Sequence, residues 1–233
     1  MRWYRPILSG LNKVAAIRCC NLCKLPSLDL ICNICINDLE TLNSYSQLCQ
    51  RCKRVIKPDD SLCRPCLGDD IYFDQLYCDY VYARPLSQVL HQLKYHKQRH
   101  YAKALGLLLS TQLSRLNADL IIPVPLHKSR YKERGFNQVE LLLYDYIKTN
   151  HTIPVIPNAM TRIINTSHQT LVDKKHRLSN LANAFKLNID IRGKTIILVD
   201  DVVTTGSTTN AIAKKLKDLG ASRVDIACLL RAL

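Results

Sequence analysis

Thr195-Ile196-Ile197-Leu198-Val199-Asp200-Asp201-Val202-Val203-Thr204-Thr205-Gly206-Ser207-Thr208 is the stretch on which the reading of this chain turns. Its first five residues form an unbroken aliphatic and β-branched run, the pattern of a parallel strand buried on both faces. Asp200 and Asp201 are expected where that strand ends. Two carboxylates inside a core are costly, but at a strand's carboxyl edge they can accept hydrogen bonds from vicinal sugar hydroxyls. Val202 to Thr208 then lead into a helix expected over residues 209–219. Gly206 lets the backbone approach an anion closely, the hydroxyls add donors, and the helix start offers N–H groups and a favourable dipole. Helix capping alone accounts for one threonine and one aspartate, but not for the whole ordered series. The stretch reads as a cradle for a terminal phosphate.

Working upstream, residues 120–124 form another buried strand, ended by Pro123 and Pro125, with a helix expected over 137–148. Between them lie Lys128, Arg130, Lys132 and Arg134, a basic loop at a strand's carboxyl end, where open parallel sheets bind ligands. Residues 77–82 read as a strand, and Leu86, Val89, Leu90 and Leu93 recur at helical spacing. Lys94 follows that stripe where a lysine can reach a phosphate, although an ordinary helix-end lysine explains it as well. His91, His96 and His100 belong more simply to a solvated basic face than to a metal site. Residues 161–185 are polar and basic, as in a lid over a site or a plain surface loop. The expected fold class is α/β, a parallel sheet flanked by helices.

The first third is different. Cys20 and Cys23, Cys32 and Cys35, Cys49 and Cys52, and Cys63 and Cys66 form four Cys-x2-Cys pairs. Each pair can turn both sulfurs onto one ion, and two pairs complete a tetrahedral thiolate site. Two structural zinc ions follow, replacing a core that so short and polar a segment cannot build. Pairing in sequence order is expected, giving two ribbons with a helix over 36–45 between them. Interleaved pairing or a single filled site would use the same residues. Cys19, Cys78 and Cys228 are read as small buried hydrophobes or spectators. The expected division is a double zinc ribbon over 1–70 and an α/β domain over 71–233.

The formal net charge is +14, with the excess mostly in residues 71–190, as suits a surface that meets phosphates or a nucleic-acid backbone. Arg51, Lys53, Arg54 and Lys57 beside the second ribbon are candidates for such contacts, or merely solvated. The sequence has no apolar run long enough for a transmembrane helix and no signal peptide, so a cytoplasmic location is expected.

Residues 196–208 resemble the phosphoribosyl pyrophosphate (PRPP) signature of type I phosphoribosyltransferases at every position. Together with the cysteine pairs, Leu93-Lys94-Tyr95, Pro123-Val124-Pro125, Arg134-Gly135-Phe136-Asn137-Gln138, Gln169, Arg177 and Ala184-Phe185, the chain resembles the ComF (GntX-like) family over nearly its whole length. That resemblance implies a type I phosphoribosyltransferase fold and a link to competence for DNA uptake. It gives Asp200 and Asp201 the ribose hydroxyls and Thr204, Thr205, Gly206, Ser207 and Thr208 the 5'-phosphate, with Val202 and Val203 also in the PRPP-binding segment. Lys128 and Arg130 would meet pyrophosphate, while Gln169 and Arg177 would lie in a flexible loop over it. Magnesium would arrive with PRPP. The amidotransferase activity associated with some members is not expected, because a glutaminase domain has no room ahead of the zinc module. Three readings follow: a phosphoribosyltransferase of unidentified acceptor, a PRPP- or nucleotide-binding protein without turnover, and a factor that handles single-stranded DNA, alone or with a DNA-uptake protein.

Overall fold

The computed structural model describes residues 18–68, 70–149, 152–164 and 182–233, and these divide into two compact units, residues 1–38 and 39–233. The two cysteine ribbons are built on one plan, although they fall in different units. In the first, β1 (Arg18–Cys19) pairs antiparallel with β2 (Pro26–Ser27), and Cys32 caps α1 (Asn33–Asn37). In the second, Leu48 bridges Val55, and Cys63 caps α2 (Arg64–Leu67). Both knuckles close with the same backbone bond, Lys24 N–H to Cys20 O and Lys53 N–H to Cys49 O, each 3.0 Å. Both lysines take the left-handed conformation, with φ 67° and 58°.

The single helix expected over 36–45 is not formed. Helix α1 stops at Asn37, and Leu42–Ser44 is a separate 3-10 turn whose Leu42 N–H is taken by Asp79 O at 2.8 Å. Compactness divides the chain after Asp38, whereas the division at residue 70 follows composition. The difference arises because the second ribbon shares a core. Cys49, Cys52, Cys63 and Cys66 pack in one buried cluster with Phe73, Leu76, Val81, Ile196 and Leu198.

The parallel sheet of the larger unit runs β3 (Leu76–Tyr77), β9 (Arg223–Arg231), β8 (Thr195–Val203), β5 (Leu120–Pro123), and β4 (Tyr80–Val81) also pairs with β9. The strand expected over 77–82 is therefore two short pieces broken at Cys78, whose thiol donates to Tyr80 O at 3.3 Å. Beyond β5, Ile121 exchanges backbone bonds with Pro154 O and the Ile156 N–H. Strand β8 continues past Asp200 to Val203, because β9 offers partners to Asp200, opposite Cys228, and again to Val202 and Val203, opposite Leu230 and Arg231.

Helices α3 (Leu86–Tyr95), α4 (Tyr101–Leu113), α5 (Lys128–Arg134), α6 (Gln138–Lys148) and α7 (Ser207–Asp218) accompany the sheet. Helix α4 was not anticipated, because apolar residues surround it and leave no clean stripe to read. It crosses α6 at Gly106, where a Cβ would stand 2.5 Å from Leu142 O. That neighbour is backbone and cannot swing aside. Gly106→Ala is expected to cost about 2 kcal/mol by overpacking, read as a lower urea midpoint at unchanged slope. A midpoint equal to wild type would show that the crossing is loose.

β6 (Met160–Arg162) and β7 (Phe185–Leu187) form an antiparallel pair, and the expected lid over 161–185 begins and ends in it. Gln169 and Arg177 lie outside the described residues.

Candidate functional site

Because β5 and β8 are parallel and in register from Leu120 opposite Ile196 to Pro123 opposite Val199, the chain leaves both at the same sheet edge. After β8, Thr204 and Thr205 are exposed, and Gly206 turns the backbone into α7 with φ 79°. A Cβ there would meet only ordinary contacts, at 3.7 Å to Val203 Cγ1 and 3.9 Å to Thr209 Oγ1. The need for glycine is thus conformational rather than steric. The Ser207 N–H donates to Thr205 Oγ1 at 3.3 Å, and the two hydroxyls lie 2.9 Å apart. Helix α7 carries no acidic residue in its first turn. The turn presents hydroxyls and a helix N-terminus with no carboxylate in that turn, an arrangement that favours an anion.

The two aspartates are placed differently. Successive residues of a strand face opposite sides of the sheet. Asp201 is 3% exposed and pairs with Lys94 Nζ at 2.6 Å. Lys94 is thus an ion-pair partner in the core's margin, and its place at the end of α3 serves a carboxylate. Asp200 is partly exposed, and one of its oxygens accepts the Asp201 N–H at 2.8 Å. Burial, then the charge of Asp201, pushes the Asp200 carboxyl well above the usual carboxylate range, although Lys94 and that N–H draw it down. A cation or a hydroxyl donor beside Asp200 would relieve this.

After β5, residues 128–134 are helical, not the loop expected. His127 caps them by accepting the Ser129 N–H on Nδ1, and Gly135 ends them at φ 82°. Lys128, Arg130 and Lys132 are exposed, and Arg130 holds Glu133 only loosely at 3.4 Å. Arg134 is turned inward, donating to Gln138 Oε1 and lying 5.5 Å from the Tyr95 ring centre, so it supplies packing rather than ligand charge. Asn137 is buried, donates to Val124 O at 3.2 Å and caps α6 through the Val139 N–H.

Arg162 of β6 escaped the sequence reading. His127 and Arg162 form a parallel bridge, which brings this guanidinium to the same edge. Burial and then the charge of Arg130 lower its pKa, while Asp200 raises it. Its only signal in the sequence was a basic residue at the border of a stretch read as a lid.

The cysteine sets brought together are Cys20, Cys23, Cys32 and Cys35, and Cys49, Cys52, Cys63 and Cys66, with the ligand atoms of each set within 4.8 Å of one another. Among the described residues these are the groups placed to share a metal ion, and the three histidines are not included. The donors fit a soft tetrahedral cation. Burial raises the Cys20 thiol, but N–H groups of Cys32, Cys23 and Leu22 outweigh it and bring it down to about 6. Cys49 is drawn to about 7 in the same way, by Cys63, Cys52 and Arg51. Burial, followed by the charge of Cys52, pushes Cys66 up. Crowded thiolates that repel in this way are what a divalent ion neutralises. Each tetrad can therefore hold a zinc ion. Of the remaining cysteines, Cys78 and Cys228 are buried and Cys19 is exposed.

Arg51 does not face outward as a nucleic-acid contact would. Its Nε donates to Phe73 O at 2.9 Å, and a terminal nitrogen donates to Ile71 O at 3.3 Å.

Comparison with known proteins agrees with this architecture. Residues 146–233 match the phosphoribosyl transferase domain family. The chain is 35% identical over 225 residues to the DNA utilization protein YhgH of Escherichia coli K12, covering 92% of this chain and 97% of that protein. The chain belongs to the ComF family. Its other relatives include competence protein F of Haemophilus influenzae, 32% identical over 79% of this chain and 84% of that protein. Competence protein ComFC of Bacillus subtilis is 27% identical over 87% of this chain and 84% of that protein. This ComF-family chain has a type I phosphoribosyltransferase fold, with a parallel central sheet flanked by helices and two cysteine tetrads in its N-terminal region. Among the described residues, no helix is long and apolar enough to cross a membrane.

Proposed function

We propose that this chain binds PRPP, delivered with magnesium, at the carboxyl edge of its sheet, and that it does so in the service of DNA uptake. The observation that carries the reading is the Gly206 turn, with its exposed Thr204, Thr205 and Ser207 hydroxyls and its helix start directly downstream of an acidic pair. The turn would take the 5'-phosphate through Thr204 to Thr208, with Val202 and Val203 leading into it from β8. Since Asp201 is committed to Lys94, Asp200 is the carboxylate left for the ribose hydroxyls. Lys128 and Arg130, joined by Arg162, would neutralise pyrophosphate. Gln169 and Arg177 retain the roles that the family resemblance gives them.

The chemistry such a site supports is displacement at the anomeric carbon. The bond from carbon to the pyrophosphate oxygen breaks as a bond to a nitrogen nucleophile forms, and the leaving electron pair stays on pyrophosphate. Magnesium supplies charge neutralisation on substrate oxygens. The protein's part is to orient the sugar and exclude water. Zinc, two ions per chain and structural, completes the cofactors. The eight thiolates support a reducing, cytoplasmic location.

Calorimetric titration with magnesium and PRPP tests the reading. Binding is expected, weakened about tenfold or more in Gly206→Ala, because a side chain in the left-handed region costs about 1–2 kcal/mol and pulls the turn out of shape. Asp200→Ala should weaken it as well. Wild-type heats no larger than dilution would sink the proposal. Binding accompanied by pyrophosphate release would establish turnover, and binding without release would leave a PRPP-binding protein.

The link to DNA is supported by the names of the relatives, a DNA utilization protein and two competence proteins. With Arg51 engaged internally, any contact of the second ribbon with single-stranded DNA or a DNA-uptake protein falls to Lys53, Arg54 and Lys57. Affinity for single-stranded DNA that falls steeply with salt would support direct contact.

A further inference from the structure

We infer that Arg231 couples the second cysteine tetrad to the phosphate turn, so that a phosphorylated ribose seated in the turn tightens the protein's hold on the metal at Cys49, Cys52, Cys63 and Cys66. Arg231 ends β9 and is 2% exposed. Its Nε donates to the carbonyl of Cys52 at 3.0 Å. Its Nη1 donates to Val203 O at 2.8 Å and also to Thr204 O. One planar, rigid fork therefore grips a metal-ligand residue on one side and the first residues of the phosphate turn on the other.

A guanidinium is expensive to bury, and this one is held chiefly by backbone carbonyls. Those carbonyls must be correctly placed for the charge to be tolerated. Shifting the Cys52 knuckle would strand part of the donor set, and so would shifting the turn.

A second, independent path joins the same two places. Asn210, in the second turn of α7, accepts the Tyr72 N–H at 2.8 Å and donates to Asp70 O at 2.7 Å, holding the segment that leaves Cys66. The Cys49–Cys52 knuckle is fixed in turn to the sheet edge. Leu76 N–H donates to Arg51 O at 2.8 Å, and the Arg51 side chain returns to Phe73 O. Ribbon, edge strand, β9, turn and α7 thus form a closed ring of hydrogen bonds within one compact unit. Cys20, Cys23, Cys32 and Cys35 belong to the other unit and serve as an internal control. Arg231 is a positioning residue, not a catalytic one, since it meets the turn through carbonyls from behind.

The inference rests on the proposed reading of the turn as a phosphate site. Coupling between two sites is reciprocal, so ligand at one must alter release at the other. The experiment follows zinc transfer from the full chain to a colorimetric chelator, with and without saturating ribose 5-phosphate. That probe carries the phosphate and sugar but lacks the pyrophosphate that would itself bind zinc. A Cys23→Ser variant assigns the phases to the two tetrads. Ribose 5-phosphate is expected to slow release from the second tetrad about fivefold or more, a typical coupling, and to leave the first unchanged. Arg231→Lys should keep both zinc ions yet lose the ligand dependence. If that variant fails to fold, the wild-type comparison decides alone. Calorimetry with ribose 5-phosphate separates the failures. Binding with unchanged zinc release overturns the coupling alone, whereas absence of binding overturns the phosphate reading and the coupling with it.

Discussion

Cys63→Ser in the second tetrad is expected to lower the thermal midpoint of the 39–233 unit by about 10 °C, while Cys23→Ser in the first should leave that midpoint within about 2 °C. The asymmetry follows from where each tetrad is buried. All four sulfur residues of the second lie in the same apolar cluster as Ile196, Leu198 and Ile226 of the sheet. In the first, Cys23 is exposed and Cys32 and Cys35 are partly so. Losing a zinc ligand leaves the remaining thiolates crowded and uncompensated. In the second tetrad that charge stands inside the core of the larger unit, where several kcal/mol are at stake. Differential scanning calorimetry, with zinc counted by elemental analysis on the same samples, reads both effects. Equal shifts from the two variants would show that the second ribbon is an appendage and not part of the core.

Lys94→Met should destabilise the larger unit by about 3 kcal/mol, because removing one partner of a buried ion pair leaves the other charged and unsolvated. The side chains concerned are 17% and 5% exposed, and the contact is 2.6 Å. Among the described residues, Asp201 Oδ2 has no hydrogen bond to fall back on. Asp201→Asn should cost less, since a neutral amide tolerates the site better than an unpaired carboxylate. The double variant should recover about 2 kcal/mol relative to Lys94→Met, so that the two single effects do not add, as expected for residues in contact. Urea denaturation of the four proteins closes the cycle, and additive effects would show that the pair is incidental.

Both expectations depend on facts of unequal legibility. Lys94 was visible in the sequence as a lysine beyond an apolar stripe, but its partner was not, since Asp201 lies more than a hundred residues away on another element. The same holds for Arg162, which only the bridge to His127 brings to the site. Arg51 and Arg134 erred in the opposite direction. Their positive charge suggested ligands, while the fold spends it on carbonyls, an amide and a ring.

By itself, the sequence determined the parts of this protein that depend on local periodicity and spacing. The aliphatic run into Asp200 and Asp201, the glycine at 206 and the four cysteine pairs each require chemistry within a few residues of one another, and chain order alone supplies it. Tertiary structure decided which aspartate is engaged and which is left, that the second ribbon belongs to the core of the phosphoribosyltransferase fold, and that Arg231 joins Cys52 to the start of the Gly206 turn. Those outcomes rest on burial and on hydrogen bonds between distant residues. A side chain's charge is written in the sequence, but the group that will satisfy it is fixed only when the sheet closes around it.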